Sequence, residues 1–132
     1  MMSALRLSLS IDSRAFAICR LAPDTPLPDW ALAAPHYSIT RTSEELSIVV
    51  PEAFVPADVV ASRGWQMIRF AGPMPLDQSG ILASVTAPLA AARVAIFAMA
   101  TYDTDYILIP SAQLGPAVAA LEAAGHKVST AY

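Results

Sequence analysis

The sequence predicts an α+β fold, an antiparallel sheet with helices on one face, arranged as two units in tandem. Three observations carry this. From Trp65 onward the apolar pattern alternates between strand and helix periods in the order β-α-β-β-α-β. The preceding residues offer strands in a similar order with little helix, so they read as a reduced copy of the same plan. The 132 residues are 55% hydrophobic and 14% charged, enough apolar material for a core with some left for an interface.

Leu5, Leu7, Leu9 and Ile11 alternate with Arg6, Ser8, Ser10 and Asp12, the pattern of a half-buried strand. A turn is expected at Asp12-Ser13-Arg14, with a second strand over Ala15 to Leu21. The segment from Ala22 to Trp30 holds Pro23, Pro26 and Pro28, which exclude a helix or a central strand, so it reads as a loop. Tyr37 to Thr42 and Leu46 to Val50 flank Ser43-Glu44-Glu45 and predict a hairpin with a solvated acidic tip. A helical turn is expected over Ala57 to Ser62.

Trp65 to Phe70 reads as the next strand, ended by Gly72-Pro73-Met74-Pro75. A helix then starts at Ser79 or Gly80, with Ile81, Leu82, Val85, Leu89 and Ala92 on one face. Pro88 lies inside it and should kink it or free the carbonyl of Ser84. The apolar run Val94 to Ala100 predicts a strand that is central or covered on both faces. Thr101 to Thr104 is a turn and Asp105 to Ile109 returns as a strand. Ser111 is expected to cap a second helix, with Leu114, Ala117, Val118 and Leu121 facing the core and Gly125 ending it. Lys127 to Ala131 is the last strand. The expected division is a reduced unit over residues 1–62 and a complete one over 63–132. This is the ferredoxin-like plan. Both helices are rich in alanine and poor in charge, which predicts a face or sheet edge covered by the N-terminal half or by a second chain.

Several function classes are excluded or disfavoured. The net charge of -3 argues against a nucleic-acid partner. No run approaches the roughly 18–20 apolar residues of a membrane span, and the N-terminal residues do not read as a signal peptide. With the lone Cys19, a buried small hydrophobe, this predicts a cytoplasmic protein. His36 and His126 have no metal-ligand spacing around them, so no metal site is expected. No P-loop, dinucleotide fingerprint, nucleophile elbow or CxxC occurs. Arg14, Arg20, Arg63 and Arg69 lie beside no glycine-rich loop, which disfavours a phosphate-handling hydrolase. The expectation is a protein with no catalytic residues and no cofactor.

The polar residues of the second half gather at two places, the loop Asp77 to Gly80 and the turn Thr101 to Asp105. A helix start offers free N–H groups and a dipole that suit a carboxylate, and glycine lets a ligand approach the backbone. Gly80 and Ile81 stand at such a start. Asp105 adjoins an apolar strand, where an unpaired carboxylate is costly, and is the leading acceptor for an ammonium group. Thr101 and Tyr102 offer hydroxyls or a wall. Asp103 reads as an ordinary turn residue.

The stretch GILASVTAPLAAARVAIFAMATYDTDYILIP resembles the ACT domain, and most of all its tandem, aspartate-kinase-like members, a broader group that includes animal cytosolic arginine sensors. The resemblance rests on Gly80-Ile81, Pro88, Thr101-Tyr102 and Asp105, and covers about the second half of the chain. The hairpin YSITRTSEELSIVVPE is reminiscent of the group's first unit. The resemblance implies a regulatory protein that binds a small molecule, an amino acid, between paired units of a homodimer or higher oligomer. It implies ligand contacts from Gln78, Gly80, Ile81, Thr101, Tyr102 and Asp105. The arginine sensors place an acidic residue where this chain has Gln78, so a cationic side chain loses one partner here. The alternative is an interaction module that keeps the shape without a ligand.

Overall fold

The computed structural model describes residues 5–131. Contacts group the chain into two compact units, Arg14–Trp65 and a larger one of Met1–Ser13 with Gln66–Tyr132. The strands are β1 (Ser8–Leu21), β2 (Ser38–Arg41), β3 (Leu46–Pro51), β4 (Ala61–Phe70), β5 (Phe97–Ala100), β6 (Asp105–Pro110) and β7 (Lys127–Ala131). The helices are α1 (Asp29–Leu32), α2 (Ile81–Ala91) and α3 (Leu114–Ala123). β1 and β4 are long enough that each contributes residues to both units.

In the smaller unit the strand order is β2-β3-β1-β4, the order of the predicted plan. β3 runs antiparallel to both neighbours, with Phe16 opposite Pro51 and Ile39 opposite Ile48. Its helices are vestigial. One turn, α1, follows Pro28, and a three-residue 3-10 turn covers Glu52–Phe54. Asp29 and Trp30 are thus helical rather than loop, because a proline at a helix start costs no hydrogen bond. Ala31, Ala34, Leu46, Ile48, Val50 and Cys19 form its core, with Trp30 partly buried against it.

In the larger unit β4, α2, β5, β6, α3 and β7 follow the β-α-β-β-α-β order. The strand order is β7-β1-β4-β6-β5. β7 therefore pairs with residues 8–12 of β1, in parallel, where the four-strand plan would set it beside β4. The core is formed by Leu9, Ile11, Ile68, Phe70, Ile107 and Ile109 from the sheet against Ile81, Val85, Leu89, Ala117 and Leu121 from the helices. Leu82 and Ala92, expected on the core stripe, are exposed.

The structure corrects the sequence reading elsewhere. Residues 8–21 form one strand, with no turn at Asp12-Ser13-Arg14. The backbone on either side of that triplet is held in sheet ladders, and Gln66 Nε2 donates to the Asp12 carbonyl at 3.2 Å, which outweighs the turn preference of the side chains. β4 already begins at Ala61, so the helical turn expected over Ala57 to Ser62 is replaced by the one at Glu52–Phe54. The strand expected over Val94 to Ala100 covers only its last four residues and lies at the sheet edge, with Ala98 and Ala100 exposed. Ser111 makes no cap. A 3-10 turn over Ser111–Gln113 precedes α3 instead.

Both long helices of the larger unit end with two reverse-turn hydrogen bonds. At α3, Gly125 has φ 97, and N–H groups of Gly125 and His126 donate to the carbonyls of Glu122 and Leu121 at 2.9 and 3.1 Å. At α2 the same role falls to Arg93, at φ 61, with N–H groups of Arg93 and Val94 bonded to Ala90 and Leu89 at 3.0 and 2.9 Å. Gln113 braces that end: its Nε2 donates to the Arg93 carbonyl at 3.2 Å and its Oε1 accepts from the Ala95 N–H at 3.1 Å.

Candidate functional site

The larger unit holds a cavity of about 280 Å³. One wall is the β4–α2 connection and the first turn of α2, with Met74, Leu76, Gln78, Gly80, Ile81 and Leu82. The other is the β5–β6 turn, with Thr101, Tyr102, Asp103, Thr104 and Asp105. All the residues that sequence reasoning singled out for a ligand, Gln78, Gly80, Ile81, Thr101, Tyr102 and Asp105, line this one cavity.

The loop can sit here because glycine permits two tight geometries. Gly80 adopts φ 85 at the cap position of α2, a left-handed conformation that strains other residues. No side chain caps the helix there. The Ser84 N–H closes the first turn onto the Gly80 carbonyl at 3.0 Å, so the N–H groups ahead of it have no place in the helical ladder. Gly72 approaches the turn closely, since a Cβ on it would lie 3.0 Å from the Asp103 carbonyl oxygen and from Thr104 Cβ. The two walls are stitched together nearby. The Met74 N–H donates to the Asp103 carbonyl at 2.7 Å, and Thr104 Oγ1 donates to the Phe70 carbonyl at 2.8 Å.

The singled-out residues differ in what remains free for a ligand. The Thr101 hydroxyl closes the turn, donating to the Thr104 carbonyl at 3.1 Å and accepting from the Thr104 N–H at 3.3 Å. Ile81 is buried in the core. Tyr102 is 80% exposed on the rim, beside Leu76 at 70%. The Gln78 N–H bonds the Pro75 carbonyl at 3.3 Å. Asp105 is half-buried at the start of β6, opposite Ala100. Asp103, read as a turn residue, is both that and part of the lining. Neither carboxylate has a hydrogen-bonding or ionic partner among the described residues.

Sequence reasoning missed two polar residues. Thr104 is buried and holds the turn. Its only signal was the Thr-x-x-Thr spacing across the turn. His126 is also buried, and its Nε2 lies 2.8 Å from the Ser84 carbonyl, the one Pro88 was expected to free. Its Nδ1 accepts the Leu7 N–H at 3.1 Å, so the neutral ring carries its proton on Nε2 and donates it to Ser84. Nothing in local spacing connects residues 7, 84 and 126. No group of His, Cys, Asp and Glu among the described residues has the arrangement of a metal site. Burial pushes the Cys19 thiol above its ordinary pKa, against a smaller opposing pull from Arg63, and so favours the protonated thiol. No helix among the described residues is long and apolar enough to cross a membrane.

Comparison with known proteins bears on this geometry. The ACT domain family model matches residues 60–123, and a second model, of an N-terminal domain, matches residues 14–58. The crystal structure of protein Atu0741 from Agobacterium tumefaciens is 36% identical, covers 98% of this chain and 96% of its own, and superposes with a TM-score of 0.92. The regulatory subunit of aspartate kinase from Thermus flavus covers 92% of this chain and 99% of its own with a TM-score of 0.65, and at 13% identity shares the fold. The cytosolic arginine sensor for mTORC1 subunit 1 of Homo sapiens is 34% identical over 59 residues, 44% of this chain. The chain spans 18% of the length of that sensor.

Proposed function

We propose, on the premise that this chain belongs to the ACT-domain family, that the cavity between α2 and the β5–β6 turn binds an amino acid and that binding regulates the protein's assembly or a partner. One observation carries the reading: an uncapped helix start and two unpartnered carboxylates, Asp103 and Asp105, line a single cavity. An amino acid carries one anion and one cation a few ångströms apart. Its carboxylate suits the N–H groups of Gly80, Ile81 and Leu82, and its ammonium suits Asp105. Gln78 and Tyr102 lie at the mouth and contact the rest of the ligand. The related arginine sensor and kinase regulatory subunit support a sensing role by analogy.

The protein is non-catalytic and cytoplasmic in this reading. It acts as a homodimer or higher oligomer in which ligand favours one arrangement of the units. The exposed edge of β5 and the apolar rim of Leu76 and Tyr102 offer a surface for a second copy.

A thermal-shift screen of the twenty amino acids tests the reading. Ligand at a hundred times its Kd stabilises by about 2.7 kcal/mol, a rise in melting temperature of about 10 °C for a chain of this size. Asp105→Ala should abolish the shift while the free protein melts within about 2 °C of the parent, since the carboxylate has no internal partner to lose. A folded protein that no amino acid stabilises would instead be an interaction module of the same shape, a role in keeping with the Thr101 hydroxyl being spent on its own turn.

A further inference from the structure

The charges of the cavity wall are of one sign. Asp103 and Asp105 line it, and no Lys, Arg or His does. The only positive feature is the open end of α2, which accommodates one carboxylate. The uncharged part of the wall is mixed: Met74, Leu76, Ile81 and Leu82 form its apolar side with the small Ala83 and Ala100, while Gln78, Thr101, Tyr102 and Thr104 add uncharged polar groups.

We infer that the cavity selects amino acids with an apolar side chain and rejects the dicarboxylic ones. This rests on the reading that it binds an amino acid at all. A second carboxylate, as in aspartate or glutamate, would meet no cation and would lie near Asp103, where like charges repel. A cationic side chain could approach Asp103, but that carboxylate is exposed on the turn. An ion pair there is screened by water and contributes less than burying a branched aliphatic group against Met74, Ile81 and Leu82.

Isothermal calorimetry of the full chain with leucine, isoleucine, valine, methionine, aspartate, glutamate, lysine and arginine decides the matter. The aliphatic group should bind at least about tenfold more tightly than aspartate and glutamate. Tightest binding of an acidic or a basic amino acid overturns the selectivity and leaves the amino-acid reading standing. Silence from all eight overturns the selectivity, and silence from all twenty in the thermal-shift screen overturns the amino-acid reading as well. A second variant probes the cause. Leu76→Lys changes a residue that is 70% exposed, so folding is preserved, and sets a cation on the apolar wall. It should narrow the gap between glutamate and leucine by about tenfold. An unchanged gap would show that charge on this wall does not set the preference.

Discussion

The two units share a strand plan but use their polar side chains differently. In the smaller unit, prolines and short turns stand where helices would be, and side chains hold the irregular backbone. Arg41 Nη1 and Nη2 donate to the carbonyls of Pro23 and Thr25 in the proline-rich loop. Arg20 donates to the Glu44 carbonyl, Arg63 to the Pro56 carbonyl, and Glu52 accepts the Gly64 N–H. In the larger unit, regular helices satisfy most of their own backbone and end in reverse-turn hydrogen bonds at Arg93 and Gly125, the first braced by the Gln113 side chain. Asp103 and Asp105 stand unspent beside the cavity. A binding site needs polar groups that the fold does not consume.

Removing His126, which bonds two backbone groups of the larger unit, gives the largest expected effect. His126→Ala leaves the part-buried Ser84 carbonyl and Leu7 N–H without this partner and opens a cavity where the ring was, and should cost about 3 kcal/mol in urea unfolding. Adding Pro88→Ala restores an N–H that can reach Ser84, so the double variant should lose less than the sum of the two single ones. Strict additivity would mean that the His126 bond is not compensating for the proline.

The contrast between units is sharpened by a pair of smaller changes. Arg41→Ala should cost about 1–2 kcal/mol and leave amino-acid binding unaltered, because it loosens only the proline-rich loop. Thr104→Val should cost about 1 kcal/mol, and it should also weaken binding, because the bond to Phe70 holds the cavity's second wall. Equal effects of both on binding would dissolve the distinction between a clamped unit and a site-bearing one. The smallest change runs the other way. Arg93→Gly relieves a left-handed conformation at the end of α2 and should raise stability by about 0.5–1 kcal/mol, read as a higher urea midpoint. A loss would mean that the Arg93 side chain contributes more than its backbone strain costs.

Most of the larger unit was legible in the sequence. The stripe of Ile81, Val85 and Leu89, the turn before Asp105, the glycine at the end of α3 and the strand Lys127–Ala131 all follow from local periodicity and glycine placement. The grouping of Gln78, Gly80 and Asp105 was legible through the family resemblance, and the structure lines one cavity with all three. The failures fall where local preference competes with a ladder. Asp12-Ser13-Arg14 has turn chemistry but lies inside a strand, and the apolar run before Phe97 suggested a buried strand where the structure has an edge.

The sequence by itself determined the order of elements, the helix faces and the proline that deprives Ser84 of a partner, because these depend on neighbours within a few residues. Only the tertiary structure decided that β1 separates β4 from β7, that His126 answers Pro88, that Thr104 anchors the turn, and that Asp103 joins Asp105 at the cavity. Those are pairings across many residues of chain, set by which buried polar groups can reach one another once the sheet has formed, and no local pattern encodes them.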